Sequence, residues 1–313
     1  MLQALSIAFH AIVPLFLIIA VGYTVKRLGW IGPEEVRRFN KVCFYTFMPV
    51  MLFYNIYTSD FSHAVRLPYA LFVVGMALAM ILLAFLITLA AEKTPERRGV
   101  MIQAAFRSNF VLLGLPIAAE LLPEGNLGVT ALMVAIVVPI YNMMSVVVLE
   151  YFRGGKPRAG EVLLAVVKNP LILGSVAGLL VQALHITLPE VLLSFAGKMN
   201  SAATPLILLL LGASFETREI ARYKKELLVC VGLRLVVFPG AILTLAAALG
   251  LRDIEFVTVL AMTAAPTAVN SFNMAQQLGG DSQLAGSAVV VSTAASFFTL
   301  FVWITLFKQL GMF

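Results

Sequence analysis

Two polar stretches interrupt a chain that is otherwise apolar, and their residue types suit the binding of an anion. The first is Arg107-Ser-Asn109, with Gly114-Leu-Pro116 behind it. The second is Pro266-Thr-Ala-Val-Asn270, continuing through Ser271, Asn273 and Gln276. A guanidinium meets a carboxylate with two parallel N–H donors, and an amide adds another. Arg107 is therefore expected to neutralise a bound carboxylate, unless it snorkels toward the cytoplasm from the inner half of its span. Asn109 is expected to bind the same group, to cap a broken helix, or both. Asn270 and Asn273 are three residues apart and share a face if that segment is helical. With Ser271 and Thr267 they form either a polar wall of the site or hydrogen bonds that join two helices. Gly114, Pro116 and Pro266 are the expected helix breaks. Thr46 and Asn200, near Pro49 and Pro205, are weaker candidates, and Arg234 reads as structural.

What the apolar runs lack narrows the chemistry further. No Asp or Glu stands in the middle of any of them; Glu120, Glu150, Glu216 and Glu255 are all near ends. Proton coupling through a buried acid is disfavoured. A sodium ion held by carbonyls, Asn and Ser needs no fixed charge and stays open; no other cofactor is expected. Export of an anion down the membrane potential needs no coupling ion, since one charge gains about 2.3 kcal/mol per 100 mV. His10, His63 and His185 are isolated, and Cys43 and Cys230 have no zinc spacing, so a metal site is not expected. The same scarcity argues against an intramembrane enzyme. No Gly-x-x-x-x-Gly-Lys segment is present to support a nucleotide-driven pump. An anion channel remains the rival of another class, but its continuous polar pore fits poorly with polar residues gathered at one depth.

The elements that must position these residues are membrane helices. The chain is 61% hydrophobic and 12% charged, against about 25% charged in soluble domains. Ten apolar runs are read at 4–25, 41–57, 68–91, 99–122, 128–151, 162–184, 199–215, 227–249, 255–277 and 284–307. Each approaches the roughly 20 residues that span a bilayer core, and backbone satisfaction in lipid makes them helices. The first run follows no basic residue and is too long for a signal peptide's core, so it reads as a span. Of the 22 lysines and arginines, 16 fall in loops on one side. The positive-inside rule places those loops in the cytoplasm of a cell-membrane protein and both termini outside. It also accounts for the net charge of +6 without a nucleic-acid partner.

The chain repeats itself. A shift of 156 positions lays Pro14 on Pro170, Gly22 on Gly178 and Pro49 on Pro205, and brings Asn109 one residue short of Pro266. Five spans per copy is an odd number, so the copies enter the membrane from opposite sides. The expected architecture is all-α, two inverted five-helix repeats at 1–152 and 162–313 joined by a cytoplasmic linker at 153–161. Gly174 and Gly178, four apart, predict close helix packing. The interruptions in spans four and nine meet at one depth, and paired broken spans point to a transporter's binding site.

Several of these motifs resemble the auxin efflux carrier family. They are Pro14-Leu-Phe-Leu-Ile-Ile-Ala-Val-Gly-Tyr23, Phe44-Tyr-Thr-Phe-Met-Pro49, Arg107-Ser-Asn109 with Gly114-Leu-Pro116, and Pro266-Thr-Ala-Val-Asn270 with Gly279-Gly-Asp-Ser282. The likeness runs from about residue 10 to 307 and is similar to a compact prokaryotic member, because only about ten residues separate spans five and six. It places the chain with the bile-acid/sodium symporter-like transporters. The resemblance implies a scaffold domain and a transport domain that interleave across both repeats, and a crossing of helices four and nine. It also implies elevator-type alternating access, a homodimer, and small organic acids, auxin-like or malonate-like, as substrates.

Overall fold

The computed structural model describes residues 2–59, 66–122, 127–153 and 159–313. Most of the expected linker (154–158) and His63 lie outside the described residues. The described chain is all-helical. Its helices are α1 (Leu2–Arg27), α2 (Pro33–Val42), α3 (Met48–Tyr57), α4 (Leu67–Ala91), α5 (Pro95–Phe106), α6 (Leu115–Leu121), α7 (Gly128–Phe152) and α8 (Ala159–Lys168). They continue as α9 (Pro170–Ala183), α10 (Glu190–Ser214), α11 (Thr217–Arg222), α12 (Lys224–Gly232), α13 (Phe238–Ala248), α14 (Asp253–Ala264), α15 (Asn270–Gln277) and α16 (Ser282–Gln309). Among the described residues, five segments are long and apolar enough to cross a membrane: α4, α7, α10, Lys224–Ala248 and α16. A sixth is added if α8 and α9, bent by 60°, form one span. The bend falls where Asn169 caps α9, its side chain accepting from the Leu171 N–H at 2.9 Å ahead of Pro170.

Among the described residues, three helices contain a π segment: Cys43–Phe47, Phe110–Gly114 and Leu233–Val237. Each is followed two residues later by a proline: Pro49, Pro116 and Pro239. Proline lacks an N–H and clashes with the carbonyl four residues earlier. Widening the helix by one residue accommodates the ring without stopping the helix. The carbonyl freed opposite Pro239 belongs to Leu235, and the Trp303 indole donates to it at 2.9 Å. Pro116 therefore does not break its helix as expected; Phe110–Leu121 runs through it. The break lies earlier, where residues 107–109 leave helical geometry.

The core surrounds α14, whose residues Phe256–Ala264 are all buried. It packs on α7, α13, α16 and the π segment Phe110–Gly114. Outside it, α1 packs on α10 and α3 on α9. Both contacts depend on glycine. A Cβ at Gly22 would run into the Leu209 carbonyl, and one at Gly178 would lie 2.9 Å from the Phe53 carbonyl oxygen. Gly174 likewise rests against the Pro49 backbone, so the two glycines predicted to pack closely do so. Leu67, Leu71, Leu78, Leu82 and Leu86 of α4 stand exposed, a surface for lipid rather than water.

Candidate binding site at the helix crossing

α5 ends at Phe106 and α14 at Ala264, and the two broken segments meet between them and the next helices. Ser108 and Thr267 pair as an isolated antiparallel bridge. The Asn109 N–H donates to the Pro266 carbonyl at 2.8 Å, and the Ala268 N–H to the Arg107 carbonyl at 3.0 Å. These bonds satisfy backbone that has left its helices, which lipid could not do. Thr267 fixes the joint: its hydroxyl donates to the Ala104 carbonyl at 2.8 Å. Gly114 allows close approach, because a Cβ there would stand 2.7 Å from the Ala261 carbonyl oxygen.

A cavity of about 240 Å³ opens beside the bridge. The crossing contributes Arg107, Ser108, Asn109 and Asn270 to it; α3 contributes Asn55, α7 Tyr141 and Asn142, and α10 Asn200, Ser201 and Thr204. Its walls thus carry one guanidinium, five asparagine amides and several hydroxyls, with no carboxylate. Phe110, Val111 and Leu112, which begin one half-helix, and Val269 and Asn270, at the start of the other, also line it. The first amides of a helix lack intrahelical partners and carry partial positive charge. Both half-helices therefore add to the field of Arg107.

Arg107 is 4% exposed, and among the described residues no carboxylate pairs with it. Its Nη2 donates to Asn142 Oδ1 at 2.5 Å and its Nη1 to Met274 Sδ at 2.8 Å. A buried cation held only by an amide and a thioether lacks a counter-charge. Asn109 makes no side-chain cap, and its Nδ2 has no protein partner. Of the two roles expected for it, capping is the one its side chain does not perform. Ser108 Oγ, Asn142 Nδ2 and Asn270 Oδ1 are also buried without partners. Such clustered orphans are uncommon in a protein interior and call for an occupant.

The other sequence candidates go elsewhere. Asn273 donates to the main-chain and side-chain oxygens of Asn40 at 3.1 and 2.9 Å, and Asn40 donates to Gln276 Oε1 at 2.6 Å. These three amides join α2 to α15, away from the cavity lining. Ser271 is buried beside the crossing but does not line the cavity. Thr46 is exposed and donates to the Val42 carbonyl. Asn55, Tyr141 and Asn142 were not singled out from the sequence; an Asn inside an apolar span was the available signal for the two amides.

Three relatives match nearly end to end. An "Uncharacterized transporter" of Methanocaldococcus jannaschii is 22% identical, covering 95% of this chain and 98% of its own. An "Uncharacterized transporter" of Methanothermobacter thermautotrophicus is also 22% identical, covering 94% and 96%. A Rhizobium meliloti protein named "Putative malonate transporter" is 24% identical over 92% of each chain. Two broken helices bridged beside a cavity that holds one guanidinium accord with these names, and the family model described as membrane transport protein matches residues 7–304, so the chain is a multi-pass member of that family, the family of the auxin efflux carriers.

Proposed function

We propose that this protein is a secondary transporter of small organic anions, and that the carboxylate sits against Arg107 and Asn109 at the crossing. The observation that carries this reading is the buried, carboxylate-free guanidinium of Arg107 in a cavity of unpaired polar groups. Malonate, for which the Rhizobium meliloti relative is named, is the first substrate to try. A channel would want a continuous polar path, whereas these groups converge on one cavity.

The reading includes ten spans in two inverted repeats, both termini outside the cell membrane, and an elevator-type movement of the crossing. The 156-residue offset supports the repeat: it carries Gly22 onto Gly178 and Phe53 onto Leu209, and these are the partners in the two glycine contacts. An anion leaving a negative interior gains about 2.3 kcal/mol per charge per 100 mV, enough to drive export alone.

The test is the melting temperature of purified protein across a panel of small carboxylates. Ligand at a hundred times its Kd stabilises the folded state by about 2.7 kcal/mol. A rise with one acid that disappears in Asn109→Ala would support the site. If no carboxylate raises it, the organic-anion reading fails.

A further inference from the structure

A second buried arginine sits behind the crossing; it does not line the cavity, though it neighbours the cavity's Tyr141. Arg234, in the π segment Leu233–Val237, is wholly buried, and among the described residues no carboxylate pairs with it. Its donors go to main-chain carbonyls: Nε to Ala265 at 2.9 Å, Nη1 to Phe106 at 3.0 Å, and Nη2 to Met262 at 2.9 Å and to Thr263. These are the carbonyls at the C-terminal ends of α5 and α14, left without helical donors where the two helices break. Each helix end carries about half a negative charge. Two ends converging make roughly one, and one guanidinium balances it.

Freed carbonyls at broken membrane helices are also where a transporter would hold a coupling sodium ion. Here four of those oxygens are already occupied by a cation that belongs to the protein. An arginine keeps its charge, so a sodium ion at the same oxygens would meet both a filled shell and a like charge. The residues do not fit an ion there.

We infer that Arg234 is a built-in counter-cation for the crossing, taking the place of a coupling sodium ion, so that the protein binds and moves its substrate without sodium. This rests on the transporter reading, but its first readout does not. Purified protein without substrate should melt at the same temperature in sodium as in choline at equal ionic strength. A sodium-specific rise would overturn the inference whatever the substrate is. Uptake into proteoliposomes gives the second readout. Wild type should run at equal rates in the two salts, and Arg234→Lys, which keeps the charge, should stay active. Arg234→Gln should lose about a hundredfold through displacement of the crossing, and millimolar guanidinium or sodium should restore part of that loss. A wild type that requires sodium, or an Arg234→Gln that matches wild type in both salts, refutes it. So does a folded Arg234→Gln whose loss no small cation restores, because that assigns Arg234 to shape alone. If Arg234→Gln fails to fold, the wild-type and Arg234→Lys salt comparisons decide.

Discussion

Replacing Arg107 with glutamine separates a guanidinium kept for a ligand from one kept for the fold. The side chain has five N–H donors, and two are engaged, by Asn142 and Met274. Three remain, one more than a bidentate carboxylate needs. Hydrogen bonds to charged groups contribute about 1.5–3 kcal/mol each, and a neutral replacement about 1. Losing two and regaining one leaves a deficit of about 2–5 kcal/mol, roughly thirtyfold to a few thousandfold in affinity. A neutral diamide of the same shape should lose no more than about tenfold. The empty protein should respond in the opposite direction. A buried, unneutralised charge costs several kcal/mol of desolvation, and glutamine can still donate to Asn142 Oδ1. Arg107→Gln should therefore melt at or above the wild-type temperature without ligand. Calorimetric titration with malonate and malonamide, beside a thermal melt, reads all three quantities. Equal losses for acid and amide would refute the charge-pairing role. A large fall in the melting temperature of the empty variant would place Arg107 with Arg234, as a cation the fold itself requires.

Gly22→Ala should lower the melting temperature, since overpacking costs about 1–3 kcal/mol and the obstacle is the Leu209 backbone. Gly75→Ala on α4 meets nothing within 4 Å and should leave it unchanged or raise it; the reverse order of the two variants would contradict the packing. Asn40→Ala and Asn273→Ala should be non-additive in stability, with a coupling of about 1 kcal/mol from the bonds they share; additive losses would mean the α2–α15 amides do not meet. Burial, with the hydrogen bond to Asp281 and its charge, pushes the Tyr223 phenol up to about 12. Because the folded value is raised above the ordinary value of about 10, its stabilisation is full below that pH and fades as pH climbs through the folded value. The melting-temperature gap between wild type and Tyr223→Phe should accordingly shrink in strong alkali; a constant gap would exclude the titration.

The crossing was legible because its two halves violate the composition of the spans that carry them. Arg107, Asn109 and the run from Pro266 to Asn270 are polar where apolar residues are cheap, and such positions are retained only for a structural or binding purpose. Pro266 marks its own break correctly, because nothing beside it widens the helix. Pro116 misleads for the opposite reason. The π segment before it spreads the strain, and the chain leaves helical geometry at residues 107–109, where no proline announces it. Asn55 and Asn142 carried a readable signal, but which face of a span each occupies depends on how α3 and α7 pack, and spacing does not encode that. Asn273 shows the converse. It lies one turn from Asn270, yet α2 packs against that turn and takes its amide, so neighbouring residues of one type serve a site and a joint. The two arginines make the same point about charge. Both are buried without a carboxylate, and the difference lies in what their donors reach. Arg234 reaches helix ends that need a cation, whereas Arg107 reaches an amide and a sulfur that do not. Arg107 therefore keeps its charge available to a ligand, and on the proposed function that division of labour would tie the fold to anion binding.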